Sequence, residues 1–334
     1  MKAIQMNTTG GPEVLQLVDV PDPQPGPGEV LVRVEAAGVN FMDLMRRKGM
    51  PFDIPTPLPF VLGAEVAGTV VAVGSEVRTF AVGDRVFGQA GTLAGGGWAE
   101  LVTANAANLF PIPPGMTAER AAGLTIVGVT AAILLIEAAK VGEGETVFVP
   151  AAAGGLGGYA VQIAKALGAT VIAGASTEQK RRIALELGAD AATDYRGEGW
   201  PSKVRDLTSG RGVDVALDPV GPQHLSQTIS ILAPFGRLIS YGSLAGYEGT
   251  VDRAALSSVL YNPAPAQSLI GFNVTHWLTQ RPEASFAAAG RLFTWLAEGK
   301  VSGPTITSLP LADAAKALSL LEEGRNIGKV VLIP

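Results

Sequence analysis

The sequence predicts an α/β chain in two parts, one mainly β and one a doubly wound parallel sheet. Three observations carry this. Short apolar segments ("TVFVP", "TVIAGA", "VDVALDPV", "GRLISYGS") alternate with helix-like stretches from about Leu124 onward. Parallel strands covered on both faces read as unbroken apolar runs, and the spacing suits successive βα units. Before them, the valine-rich "LVRVEAAGV" and "GTVVAVGSEV" are strand signals, and "PDPQPGPGE" is a loop because proline and glycine break both regular structures. After "SLIGFNV" the chain turns helical at "ASFAAAGRLFTWLAEGK", whose "FTWL" reads as a core stripe, and closes on the short apolar strand "GKVVLIP". This return joins the end of the chain to its beginning. The expected division is residues 1–123 with 266–334 as one domain and 124–265 as a second, inserted domain. At 334 residues there is enough chain for two cores.

Composition removes several classes of function. Hydrophobic residues make up 47% and charged ones 16%, unlike a disordered chain. With 25 basic against 30 acidic residues the net charge is -5, which offers no field for a phosphate backbone, so nucleic acid is not an expected partner. There is no cysteine, hence no disulfide framework and no thiolate zinc cluster. The start Met1 to Gly10 lacks the basic and apolar regions of a signal peptide. The longest apolar run, around Leu124 to Ile136, falls short of the roughly 20 residues that span a bilayer. A cytoplasmic protein without a membrane partner is expected.

The stretch "VPAAAGGLGGYAVQIAKALGATVIAGAS" carries the first functional signal. "TVFV" reads as a strand, and Tyr159, Ile163 and Leu167 recur at spacings of four along a helix that Gly168 ends. Between them Ala152 to Gly157 fits G-x-G-x-x-G with the first glycine replaced by alanine. Only small residues let a pyrophosphate approach the backbone and the exposed N–H groups of a helix start. A carboxylate ending the second strand would pair with the ribose of NAD, but Ala175 stands there. Ser176, Lys180, Arg181 and Arg182 follow and suit a 2′-phosphate, so NADP(H) is the expected cofactor. The competing reading makes "EQKRR" the solvated face of a helix.

Longer stretches agree in order with one family. "GPEVLQLVDVPDPQPGPGEVLVRVEAAGVNFMD", "LPFVLGAEVAGTVVAVGSEVRTFAVGDRVFG", "GGWAELV", "AAAGGLGG", "LGADAATDYR" and "GRNIGKVVLIP" cover nearly the whole chain. In these the chain resembles the medium-chain dehydrogenase/reductase superfamily, in its zinc-independent quinone oxidoreductase branch. The resemblance implies a GroES-like, mainly β catalytic domain and a Rossmann-type cofactor domain. Zinc-dependent relatives carry a cysteine in "GVC" and a histidine in "GHE"; this chain reads "GVN" to Asn40 and "GAE" at Gly63, Ala64 and Glu65. Their four-cysteine lobe is absent too, so no metal is expected. Without a Lewis acid, alcohol dehydrogenation is disfavoured, whereas a quinone accepts a hydride with little help.

The resemblance implies two-electron reduction of a quinone by NADPH in a cleft between the domains, in a homodimer paired through the cofactor domain. It puts Asn40 and Asp43 near the nicotinamide end, with Thr125 and Thr130 on the helix facing it. Gly154, Gly155 and Leu156 fall on the pyrophosphate, and Gly174, Ser176, Lys180 and Tyr195 round the adenosine phosphate; Tyr241, Gly242, Phe272 and Lys329 close over the cofactor. Catalytic roles fall to Asn40, Asp43 and Thr125. Structural alternatives stand beside these: Asn40 as a turn-capping amide, Asp43 as a structural acid, Tyr195 as a half-buried core aromatic. His224 and His276 read as structural or surface residues, and Trp98 as a strand anchor or a ring that stacks on a quinone.

Related enoyl-thioester reductases carry a proton-donating tyrosine after "RxG", but this chain has Met50, Pro51 and Phe52 there. Protonating carbon needs a placed acid. Reduction of conjugated enones or enals is therefore the second expectation, and an NADPH-binding structural or regulatory protein with vestigial activity the third.

Overall fold

Valine-rich β-branched segments form antiparallel sheets in the first part of the chain, and the βα repeats form a parallel one. The computed structural model describes residues 1–51, 55–91, 95–246, 248–262 and 265–334. The chain divides into two compact units, Met1–Ile126 with Thr305–Pro334, and Val127–Pro304.

The first unit opens with β1 (Lys2–Met6), which pairs antiparallel with β2 (Gln16–Asp19). It continues with β3 (Glu29–Gly38), α1 (Phe41–Lys48), β4 (Phe60–Val61), β5 (Glu65–Val73), β6 (Arg85–Gln89), β7 (Leu101–Asn105), β8 (Leu109–Pro111) and α2 (Ala118–Ala122). Strand β4 completes a three-stranded sheet on β1. In β3 the residues Val30, Val32 and Val34 turn inward with Val66 and Val70 of β5, so one apolar face closes a core. Helix α1 starts with Asp43 in its first turn and ends on Arg46, Arg47 and Lys48, charges that suit its dipole, before Gly49 turns left-handed at φ 67°.

The second unit runs α3 (Val127–Ala132), a wider π-helical turn over Ile133–Ala138, β9 (Thr146–Val149), α4 (Gly155–Ala166), β10 (Thr170–Gly174), α5 (Glu178–Glu186) and β11 (Ala191–Thr193). It goes on through α6 (Trp200–Leu207), β12 (Val213–Asp218), α7 (Pro222–Ser230), β13 (Leu232–Ser240), α8 (Arg253–Leu260), β14 (Ser268–Gly271), α9 (Val274–Gln280) and α10 (Pro282–Ala297). The six strands lie parallel in the order β11-β10-β9-β12-β13-β14. Order reverses between β9 and β12, which is where open parallel sheets bind ligands. Phe148 of β9 stacks on Trp200 of α6 at 5.1 Å and anchors one face of the core.

The chain then returns to the first unit with β15 (Ile306–Pro310), α11 (Ala314–Glu322) and β16 (Lys329–Ile333). Together β15-β16-β3-β5-β6-β8 form a seven-stranded sheet, the seventh strand being β7 on β3. The return expected from "GKVVLIP" is present in β16.

The second boundary differs from the expected one. Residues from 266 to 304 belong with the parallel sheet: β14 pairs with β13 through Arg237↔Ser268 and Ile239↔Ile270, and α10 packs on α3. Strand β14 is a short edge strand with Leu269 and Ile270 half-buried between exposed Ser268 and Gly271, so its "SLIG" lacks the unbroken apolar run that marks an interior parallel strand. Among the described residues no helix is long and apolar enough to cross a membrane.

Candidate active site

In the first unit, the C-terminal end of β3 is flanked by β5 on one side and β16 on the other. Ala37 faces Val66 and Gly38 faces Val331, so continuing both registers sets Glu65 opposite Gly38 and Lys329 opposite Asn40. A Cβ on Gly38 would lie 2.2 Å from Glu65 Oε1, so only glycine lets the two flanking side chains meet across the strand.

They meet as a buried ion pair, Lys329 Nζ to Glu65 Oε1 at 2.7 Å, with side chains 2% and 0% exposed. The ammonium also donates to the Val39 carbonyl at 3.0 Å and to Asn40 Oδ1 at 2.5 Å. Asn40 Nδ2 donates to Glu65 Oε1 at 2.9 Å, and the Ile126 N–H donates to Glu65 Oε2 at 2.8 Å. Three ammonium protons thus have three acceptors, the condition under which a buried charge is tolerated.

Asp43, fully buried in the first turn of α1, accepts from the Asn40 N–H at 2.9 Å and the Gly63 N–H at 3.3 Å. Burial pushes its carboxyl up to about 7, against the pull of the Asn40 N–H and the Lys329 charge. Both of its oxygens are taken by backbone, which is the geometry of a structural cap. Thr125 Oγ1 is buried and has no hydrogen-bond partner among the described residues. Trp98 donates from Nε1 to the Gly38 carbonyl at 3.1 Å and is wholly buried, the strand-anchor alternative. Phe52 lies outside the described residues.

In the second unit every strand is parallel, so the loops that follow the strands gather on one edge. That edge carries Gly154, Gly155 and Leu156 after β9, Ser176 and Lys180 after Gly174 ends β10, and Tyr195 after β11. It also carries Asp218 at the end of β12, Tyr241 and Gly242 after β13, and Phe272 after β14. Thr130 lies buried in α3.

The turn after β9 fits a dinucleotide. Gly154 caps α4 in extended conformation with no side-chain cap, leaving the amides of the first turn for an anion. A Cβ on Gly157 would lie 2.2 Å from the Ala151 carbonyl oxygen, so the helix sits against the turn as only glycine allows.

At the end of β10 there is no acid. Thr177 caps α5 and accepts from the Lys180 N–H at 3.2 Å. Burial lowers the pKa of the Lys180 ammonium. Arg181 donates to the Ala175 carbonyl at 3.2 Å, while Arg182 points to solvent beside Glu186, as the solvated-face reading expects of it. Burial raises the Tyr195 pKa, against a smaller lowering by the Ala151 backbone; its ring lies against Gly174 and edge-on to His224 at 6.0 Å.

The family model for an alcohol dehydrogenase GroES-like domain matches residues 26–114, and that for a zinc-binding dehydrogenase matches residues 155–276. Quinone oxidoreductase of Pseudomonas aeruginosa is 38% identical over 336 residues, covering 100% of this chain and 99% of its own. The structure of Escherichia coli quinone oxidoreductase complexed with NADPH matches with a TM-score of 0.88 at 32% identity, over 100% of both chains. A 2-haloacrylate reductase from Burkholderia is 32% identical, over 99% of this chain and 98% of its own. The chain belongs to the quinone oxidoreductase family of medium-chain dehydrogenase/reductases.

In this family member the corner at Asn40 does not fit a zinc ion. Asn40 and Ala64 offer no thiolate or imidazole, and the Asn40 and Glu65 oxygens are already on an ammonium. Among the described residues no group of three or more His, Asp or Glu is placed to hold a metal. The dinucleotide does fit, by the side-chain-free cap and the Gly157 approach.

Two residues escape a reading of motifs. Glu65 is an acid opening a valine-rich buried strand, a signal that such an acid needs a cation. Asp218 ends β12, where Oδ1 accepts from the Val220 N–H at 2.7 Å and the Gly221 N–H at 3.2 Å while buried Oδ2 has no partner among the described residues. Burial raises its pKa.

Proposed function

We propose that this chain reduces quinones with NADPH and needs no metal to do so. The observation that supports this best is its agreement, over the full length of both chains, with a quinone oxidoreductase whose structure contains NADPH. NADPH supplies the hydride. The chain's residues do the rest: the amides of Gly155 and Leu156 hold the pyrophosphate, and Ser176, Lys180 and Tyr195 hold the 2′-phosphate. Asn40 donates an N–H to the acceptor's oxygen, and the Thr125 hydroxyl, which lacks a partner among the described residues, serves the same end. A quinone that gains a hydride at oxygen and a proton from water or a hydroxyl becomes an aromatic hydroquinone, so no acid has to reach a carbon.

A homodimer formed through the second unit belongs to this reading. The outer side of β14 has no neighbouring strand among the described residues, and Phe235, whose N–H donates to the Pro265 carbonyl just before β14, is exposed together with Leu260 and Tyr261. Light scattering on the purified protein tests it. A cytoplasmic site of action belongs to the same proposal, supported by a cofactor that is a reductant of the cell interior.

The relative named 2-haloacrylate reductase favours a second reading, reduction of a conjugated double bond. One assay separates the two: nicotinamide absorbance followed with benzoquinone, phenanthrenequinone and trans-hexenal in parallel, with NADH as control. Fast quinone turnover with NADPH preferred is expected. A much higher kcat/KM on the alkenal reverses the order, and tight NADPH binding with no turnover on any acceptor leaves a binding protein.

A further inference from the structure

We infer that Lys329 is a positioning residue for the acceptor end of the site: with Glu65 it fixes the Asn40 amide so that Asn40 meets a bound carbonyl oxygen only as a donor. This rests on the proposed quinone reduction for its substrate, but its geometry stands without it. An asparagine amide can offer a ligand either its oxygen or its NH2 group, and when both ends are loosely held it offers both. Here Oδ1 takes a proton from the Lys329 ammonium at 2.5 Å, and Nδ2 gives one to Glu65 Oε1 at 2.9 Å. The reversed amide would set NH2 against an ammonium and an oxygen against a carboxylate, both inside a buried pocket where charge is poorly screened.

Asn40 is therefore held in one orientation by two opposite charges. Its Nδ2 carries two protons, of which Glu65 takes one. The other is left for a ligand. Hydrogen bonding of Oδ1 to a cation polarises the amide and strengthens that remaining N–H as a donor. A donor aimed in advance serves an oxygen that gains negative charge during the reaction, as a quinone carbonyl does when it accepts a hydride. The Lys329 ammonium, whose three protons are already on acceptors of the first unit, acts through Asn40 and does not itself touch the acceptor.

The rival account makes Lys329 a charge partner for buried Glu65 and nothing more. The near-isosteric double variant Glu65→Gln/Lys329→Met separates the two, since it removes both charges together. Positioning predicts a Tm close to that of the wild type and an unchanged NADPH Kd, with kcat on quinone down by roughly tenfold or more. Return of kcat together with Tm overturns the inference. So does a weakened NADPH Kd at full kcat, which would make Lys329 a cofactor ligand.

Selective 15N-asparagine labelling reads the clamp without turnover. The Asn40 side-chain NH2 signal, assigned by its loss in Asn40→Leu, should be shifted and slow to exchange in the wild type and ordinary in the double variant; identical signals overturn the clamp. If wild-type protein turns over no quinone, the proposed function fails while this signature still decides the inference. Should the double variant not fold, Asn40→Asp decides. It keeps the Lys329–Glu65 pair and removes the donor, so an undiminished kcat on quinone leaves nothing to position and overturns the inference, whereas a loss of roughly tenfold or more at constant NADPH Kd supports it.

Discussion

Lys329 and Glu65 meet from opposite sides of β3, 2.7 Å apart at Nζ and Oε1, because Gly38 between them has no side chain. The pair lies where almost no water reaches. Removing one member leaves the other charge buried alone, which costs about 3–5 kcal/mol in comparable pairs. Lys329→Met by itself should therefore lower unfolding free energy by about that much in urea titration. A loss within the scatter of surface substitutions would mean that water enters the corner.

Gly157→Ala tests the cofactor turn. The added methyl would meet the Ala151 carbonyl oxygen at 2.2 Å, and that neighbour is backbone, which cannot swing aside. Helix α4 must move off the turn, at roughly 1–3 kcal/mol for forced overpacking. The expected result is a lower Tm together with weaker binding of NADPH and NADH alike, measured by fluorescence titration. Equal loss for both cofactors is the point, because the pyrophosphate is common to them.

The cofactor end is legible in the sequence because close approach to a phosphate demands small residues at fixed spacing within one short stretch. Ala152 to Gly157 and the missing acid at Ala175 can be read without a fold. The acceptor end is not legible in that way. Glu65, Asn40 and Lys329 are brought together by the pairing of β16 and β5 on β3, a register that no local pattern states. Asn40 was within reach only through family resemblance, and the use to which Lys329 is put was not within reach at all. The late boundary is hidden for a related reason: β14 is an edge strand, and half-buried edges do not carry the apolar signature of the strands they flank.

Lys180→Ala tests the cofactor preference. Lys180 stands in the first turn of α5, just past the end of β10, where Ala175 takes the place of the acid that would oppose a phosphate. A contact to a charged phosphate contributes on the order of 1–3 kcal/mol, so the NADPH Kd should rise by about tenfold or more while the NADH Kd stays nearly constant. Parallel titrations with the two cofactors check it. An equal rise for both would show that Lys180 supports the fold of the loop and does not read the phosphate.

Asp43 gives stability a pH dependence of unusual sign. Its carboxyl is raised from 3.8 to about 7 by burial, so between those values the folded chain holds a proton that the unfolded chain has released. Stability from this group is therefore highest below about pH 4, falls as pH rises, and levels off above about 7. Every tenfold change in proton affinity is worth about 1.4 kcal/mol, making the fall on the order of 4 kcal/mol. Paired carboxylates such as Asp194, held down to about 2 by Arg196, titrate below that window and do not mask it. Urea midpoints at pH 5 and pH 7.5 should show the decline in wild type and lose most of it in Asp43→Asn. The same slope in both proteins would assign it to other groups.

Thr125→Val separates fold from function most cleanly. The Thr125 hydroxyl is buried without a partner among the described residues, and an unsatisfied buried polar group costs about 1–3 kcal/mol. Valine has nearly the same shape and no polar atom, so the variant should be as stable as the wild type or more so. If the hydroxyl is kept for the acceptor or the nicotinamide, kcat/KM on quinone should fall by roughly tenfold, the scale of one hydrogen bond of about 1.4 kcal/mol. Tm and steady-state rates on one preparation measure both. Raised stability with unchanged kinetics would make Thr125 a plain packing residue, and the acceptor end would then rest on Asn40 alone.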